Sequence, residues 1–226
     1  VPAFRALRKA FPKAHISLMS LPWASSFVER YQCYIDGFIS FPGYPGLPEQ
    51  PLDLPAIDAF FYEMKKSRID LLLQMQGNGT IVNDMLDQLK PKCLAGFCLP
   101  TDPRIHSKNF LEYPEELHEI KRHLALLHHL GIPDDGSDID FPTASTDEED
   151  LRKIDFTTDS KYICVHPGSA LASRQWPPEL FAKISAHFFD KGFKIVLTGS
   201  SGEASLTSQV NLLLQNKAID LAGVTT

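Results

Sequence analysis

No two of the four cysteines, Cys33, Cys93, Cys98 and Cys164, stand at CxxC spacing, so the cysteine pattern points to neither a zinc knuckle nor a dithiol redox motif. All but Cys33 lie in apolar, strand-like runs, where a free thiol behaves as a small hydrophobe. A reducing cytoplasm is the expected compartment. There is no basic excess. Lys and Arg number 22 against 28 Asp and Glu, a net charge of -6, which argues against a nucleic-acid partner. No apolar run is long enough to cross a bilayer, no secretory leader opens the sequence, and no repeat of solenoid length is present. The sequon Asn78-Gly79-Thr80 matters only in a secreted chain and is set aside. Metal chemistry also lacks its ligands. His118, His123 and His128 lie five apart on an expected helix from Leu111 to Leu130, with His129 beside them, and a shared helix face needs a spacing of four. Asp138-Ile139-Asp140 falls in an acidic connector, with no strand end to fix two carboxylates. No metal and no cofactor is expected.

What is present is a chain of 226 residues, 43% of them hydrophobic, enough for one large domain or one and a half smaller ones. Val1 to Phe11 reads as a helix with Phe4, Leu7, Ala10 and Phe11 on one face and Arg5, Arg8 and Lys9 on the other. That basic side is either a solvated face or a surface for an anionic acceptor or membrane headgroups. Strands are expected at Ala14–Met19, Tyr34–Phe41, Ile69–Met75 and Lys92–Leu99. Helices are expected after Pro22, around Ala56–Met64 and before Leu89. Gln76-Gly77-Asn78-Gly79-Thr80 is a glycine turn with Asn78 as a helix cap. Ile132 to Ser160, rich in Pro, Gly, Asp, Ser and Thr, reads as a flexible linker that is most acidic at 147–150.

The informative stretch begins at Tyr162. Tyr162-Ile163-Cys164-Val165 reads as a buried parallel strand, and His166-Pro167-Gly168-Ser169 breaks it. Pro177-Pro178-Glu179 opens a helix. The loop between them carries a hydroxyl, free N–H groups and the Arg174 guanidinium, a set suited to phosphate near a helix N-terminus. An ordinary βα loop with a solvated arginine is the other reading. Lys194–Leu197 and Ala218–Leu221 repeat the pattern, giving a Rossmann-like half with its loops at the strand C-termini.

Four motifs then follow in order: His166-Pro167-Gly168-Ser169; Arg174-x-Trp176-Pro177-x-Glu179-x-Phe181; Leu197-Thr198-Gly199-Ser200-x-x-Glu203; and Asp220-Leu221-Ala222-Gly223-x-Thr225. This series resembles the donor-binding domain of family 9 glycosyltransferases, the lipopolysaccharide heptosyltransferase group. The resemblance implies an α/β protein of two Rossmann-like doubly wound domains facing a cleft (GT-B type), both incomplete here. The acceptor-side domain would be 1–142, the acidic linker 143–160 and the nucleotide-sugar domain 161–226. It implies inverting transfer of a heptose-type sugar from a nucleotide diphosphate donor, ADP-heptose, to a lipopolysaccharide-core or other glycan acceptor, in the cytoplasm or peripherally at the inner membrane face.

The departing diphosphate needs fixed donors, for which Gly168, Ser169 and Arg174 are placed; the family often has lysine at the Arg174 position. Glu203 would read the ribose, while Thr198, Gly199, Gly223 and Thr225 line the base. In the family the loop Leu73-Gln74-x-x-Gly77-x-Gly79-x-x-x-Asn83 faces the interdomain cleft, so Gln76 and Asn78 would touch the acceptor or transferred sugar. The family's opening strand with its Gly-Asp loop and its Asp-Thr-Gly-x-x-His element are not in this sequence. The general base would precede Val1, so the chain reads as the middle of a longer enzyme, inactive alone. Two rival classes share these features: a nucleotide-sugar epimerase of the same fold, and a catalytically silent nucleotide-binding module.

Overall fold

The structure is a computed structural model that describes residues 1–154, 156, 160–169 and 171–224. The chain divides into two compact units, Val1–Pro142 and Thr143–Thr226.

In the first unit, helices and parallel strands alternate: α1 (Pro2–Ala10), β1 (Ser17–Ser20), α2 (Ser25–Arg30), β2 (Gly37–Ser40), α3 (Leu54–Met64), β3 (Leu71–Gln74), α4 (Val82–Asp87), β4 (Cys93–Cys98), β5 (Phe110–Glu112) and α5 (Glu119–His129). β1 pairs with β2, and β3-β4-β5 form a second sheet, with every pairing parallel. Parallel pairing requires crossovers, and the helices supply them. Asp53 caps α3 by accepting from the Ala56 N–H at 3.1 Å. The stripe Ile57, Phe60, Phe61 and Met64 packs with Val82, Met85, Leu86 and Leu89 of the α4 region into one core.

Three expectations change here. α1 buries Ala3, Ala6 and Leu7 against Leu127 and Ile132, while Ala10 and Phe11 are exposed. Its basic side is solvated only in part: Arg5 and Arg8 are largely covered, Lys9 stays exposed, and all three are paired with acids. Arg5 donates to Asp140 Oδ1 at 2.5 Å and to the carbonyls of Asp135, Gly136 and Asp138; Arg8 donates to Asp36 at 2.5 Å; Lys9 meets Asp135 at 2.6 Å. The acidic segment 135–140 therefore folds back onto α1, because opposite charges and free carbonyls meet there. Finally, residues 111–118 do not extend α5. Phe110 pairs with Gly96 in β5, Pro114 follows, and His118 is the N-cap of α5.

The second unit contains α6 (Ser145–Lys153), β6 (Tyr162–Val165), α7 (Pro178–Phe189), β7 (Lys194–Leu197), α8 (Ala204–Leu213) and β8 (Ile219–Asp220), with parallel sheet order β6-β7-β8. α6 occupies the stretch read as flexible linker. Its sequence suits a helix once Leu151 and Ile154 have somewhere to pack: acids in the first turn and bases in the last oppose the helix dipole favourably, and Arg152 and Lys153 pair back to Glu148 and Asp150. Leu151 and Ile154 rest on Phe156, Val196 and Leu221. β7 is central and buried from Ile195 to Leu197. β6 is an edge strand, so Tyr162 and Cys164 are exposed rather than buried as expected. Among the described residues no helix is long and apolar enough to cross a membrane.

Candidate functional site

In the second unit the strand ends gather four of the expected residues around one carboxylate. After β7 the chain runs through Thr198 and Gly199 to Ser200, which caps the 3-10 turn Ser201–Glu203 leading into α8. Glu203 reaches back. Its Oε2 accepts from the Ser200 N–H and from the Ser200 hydroxyl, each at 2.8 Å, the back-bond of a capping box. These two bonds, the amide first, hold the Glu203 carboxyl below its ordinary range. Its other oxygen lies against Gly168, where a Cβ would come within 1.8 Å of Oε1. Gly199 is the second glycine against this side chain, its ideal Cβ position 3.3 Å from Glu203 Cβ. Gly223, at φ +72, bonds Gly199 O through its N–H at 2.8 Å and stacks closely on Ser201. A side chain there would be strained twice, by φ and by space. Gly168, Thr198, Gly199, Glu203 and Gly223 thus form one cluster at the carboxyl edge of the sheet. Thr225 lies outside the described residues.

The β6–α7 loop carries Ser169 and Arg174, the residues expected from sequence to meet phosphate. Gln175 Nε2 donates to Ser169 O at 2.7 Å, and the Leu171 N–H reaches Ser169 Oγ at 3.5 Å. Trp176 stands edge-on to Phe181, with ring centroids 5.8 Å apart, fastening the loop's far end to α7. Arg174 closes a 3-10 turn through its N–H to Leu171 O at 2.9 Å. Its side chain is exposed, and among the described residues nothing is bonded to its guanidinium. An unengaged guanidinium on a braced loop, ahead of the α7 N-terminus, is available to bind an anion.

Gln76 and Asn78 belong to the first unit, at the end of β3. Asn78 Oδ1 accepts from the Thr80 N–H at 3.2 Å and the Thr80 hydroxyl at 2.7 Å, a local turn. The cap of α4 expected from Asn78 is absent, since Ile81 holds that position without a side-chain cap. Gln76 contributes its carbonyl to Gln74 Nε2. The residues that build this loop are Gln74 and Asn83, both 1% exposed, to which no role was given from sequence. Gln74 Oε1 accepts from the Phe97 N–H at 3.0 Å, and Asn83 Nδ2 donates to Phe97 O at 2.9 Å. Gly79, at φ +80, leaves room for Asn83 and Phe97 O, which a Cβ would meet at 2.3 and 2.5 Å. The signal was available: two amides spaced around two glycines are costly to bury unless both are bonded.

Of the histidines at α5, His123 packs inward, His118 caps the helix, and His128 and His129 are exposed. His118 Nδ1 accepts from the Ile120 N–H, and His123 lies 3.1 Å from Met75 O beside Phe97, where burial lowers its pKa. Among the described residues no cluster of three acids, cysteines or histidines is placed to hold a metal.

Parallel α/β units with a glycine-lined strand edge place the chain among the Rossmann-like α/β proteins. Within that class the chain belongs to glycosyltransferase family 9 (heptosyltransferase), whose model matches residues 97–226. It is 25% identical to lipooligosaccharide heptosyltransferase 2 of Haemophilus ducreyi, over 98% of this chain and 66% of the relative. The fold is similar to that of a family 9 glycosyl transferase from Veillonella parvula (TM-score 0.74, 18% identity, 99% of this chain and 64% of the other). It is also similar to that of the E. coli ADP-heptose lps heptosyltransferase II (TM-score 0.67, 17% identity, 99% and 68%). The fold is thus that of the GT-B glycosyltransferases, and the chain spans about two thirds of the length of these relatives.

Proposed function

We propose that this chain contributes the nucleotide-sugar site and part of the acceptor side of an inverting glycosyltransferase. That enzyme moves a heptose-type sugar from a nucleotide diphosphate donor, ADP-heptose, to a lipopolysaccharide-core or other glycan acceptor. The observation carrying the reading is the second unit's strand edge, where Glu203 is seated against Gly168 while the exposed Arg174 guanidinium is bonded to none of the described residues. Cleavage of the sugar–phosphate bond leaves charge on the departing diphosphate. Arg174, the Gly168 N–H and the Ser169 hydroxyl would receive it, with the α7 N-terminus adding its dipole. Glu203 Oε2 is committed to Ser200, so ribose hydroxyls would be read by Oε1. Thr198, Gly199, Gly223 and Thr225 would border the base, and Gln76 and Asn78 the acceptor or transferred sugar. No residue of this chain is assigned as the general base.

The family and the Haemophilus ducreyi relative support the choice of sugar and acceptor. A cytoplasmic setting accords with four free cysteines. A glycolipid acceptor would bring the enzyme to the inner membrane face, although Arg5, Arg8 and Lys9 are engaged with Asp140, Asp36 and Asp135. The test is calorimetric titration of this chain with ADP, UDP, GDP and inorganic pyrophosphate, followed by transfer assays of the full-length protein with ADP-heptose. Preference for ADP together with transfer supports the reading, whereas equal indifference to every nucleotide sinks it.

A further inference from the structure

His166, the first residue beyond β6, carries an imidazole that joins two other parts of the site. Nδ1 lies 3.3 Å from Thr198 Oγ1 at the end of β7, and Nε2 lies 3.9 Å from Glu203 Oε2. Glu203 is the only charged group recorded within ion-pair distance of the ring among the described residues. On its α7 side the imidazole borders a shallow groove walled by Trp176, Phe181, Ile184, Ser185 and Phe188, with Cys164 from β6; no acid or base faces it from α7 there. The ring is 54% exposed, and its polar neighbours among the described residues are that hydroxyl and that carboxylate.

We propose that His166 is a positioning residue for the nucleotide site, which holds Glu203 in a proton-dependent way. Protonated, the imidazolium attracts the carboxylate and adds a positive charge one residue before the Pro167–Ser169 loop. Neutral, it keeps only its hydrogen bond to Thr198. Glu203 stays ionised throughout, since its Ser200 bonds hold its carboxyl low. Donor affinity is therefore expected to be higher when the imidazole carries its second proton than when it is neutral. The proposal rests on the reading of this unit as a nucleotide diphosphate site.

Two measurements on the 226-residue chain separate the pair from that reading. Carbon-detected NMR follows the Glu203 carboxyl through acid titration in the native protein and in His166→Gln. The midpoint is expected to move up in the variant; an unchanged midpoint overturns the pair and the proposal with it. Calorimetry then compares ADP-glucose, whose pyrophosphate diester keeps its charge, at about pH 6 and about pH 8. Binding is expected to be about two- to fivefold tighter at the lower pH, the range an exposed ion pair supports, and flat in His166→Gln. A flat native profile overturns the donor role. Absence of binding at both pH values, with the carboxyl coupling intact, overturns the nucleotide reading and the donor role together and leaves only the pair.

Discussion

Gly168 and Glu203 exclude each other's growth: a methyl group on the glycine would lie 1.8 Å from the glutamate's Oε1 and 2.2 Å from its Cδ. The loop after β6 therefore approaches the turn after β7 as closely as a missing side chain allows, and the carboxylate fills the space.

Gly168→Ala is expected to push Glu203 away from Ser200 and to weaken ADP binding severalfold, with little change in thermal stability. The control is the double variant. If the damage runs through Glu203, adding Gly168→Ala to Glu203→Ala should cost nothing further, because neighbours sharing one interaction do not add. Additive losses in calorimetry would show that the glycine acts on the ligand by itself.

Arg174 poses the opposite case, an exposed side chain whose guanidinium has no bond among the described residues. Arg174→Ala should weaken ADP and pyrophosphate binding alike, by about ten- to a hundredfold if the guanidinium makes a charge-assisted contact. The melting temperature should stay within the small range of ordinary surface changes. Lysine should restore part of the affinity as a point charge without the bidentate fork. An unchanged dissociation constant for the alanine variant removes Arg174 from the site.

Most of the α/β alternation was legible because each strand is a short apolar run closed by glycine or proline, as in Tyr162–Pro167 and Lys194–Gly199. The motifs around Gly168 and Glu203 were legible as a series, although their mutual contact was not, since nothing local ties residues on successive βα loops. Where the reading strayed, long-range pairing decided. The 135–140 segment looked like linker composition, yet its acids and carbonyls answer Arg5 and Lys9. Residues 145–153 looked too polar to order, yet two apolar side chains at the helix end suffice to dock them. Gln74 and Asn83 stood in the loop motif, but their structural role was not legible because a buried amide leaves no mark on hydropathy.

The acid limb of stability should be carried by the first unit's aspartates. Asp36 is held below its ordinary 3.8 chiefly by the Ile16 N–H and also by Arg8; Asp140 chiefly by the Tyr34 hydroxyl and also by Arg5; Asp135 chiefly by Lys9. Each folded value is depressed, so the unfolded chain binds protons first as pH falls. The stabilisation is fully present above the unfolded value and is lost as pH drops through the folded values. The melting temperature should therefore slip slightly as pH falls below about 6.5, where half-buried His123 is protonated first in the unfolded chain, and fall more steeply below about pH 4, where the aspartates are lost. In Asp36→Asn the acid slope should be shallower, at the cost of a lower plateau. An identical slope in scanning calorimetry would remove Asp36 as a contributor.

Gln74 offers the sharpest test of how the first unit's loop is held. Its amide is 1% exposed and uses both ends: Oε1 takes the Phe97 N–H of β4, and Nε2 gives to the Gln76 carbonyl in the loop. Gln74→Leu keeps the side chain's bulk and removes both partners. The buried Phe97 N–H would be orphaned while the Gln76 carbonyl, on an exposed residue, could turn to water, and urea denaturation should register a loss of about 1–3 kcal/mol. Gln74→Glu separates the two bonds. It preserves an acceptor for Phe97 but sets an oxygen against the Gln76 carbonyl, so the Phe97 amide should stay protected in hydrogen exchange while residues 76–80 lose protection. Leucine should lose protection at both places. If leucine is tolerated with protection intact, the loop is held by Gly79 and Asn83 alone, and Gln74 is a passenger.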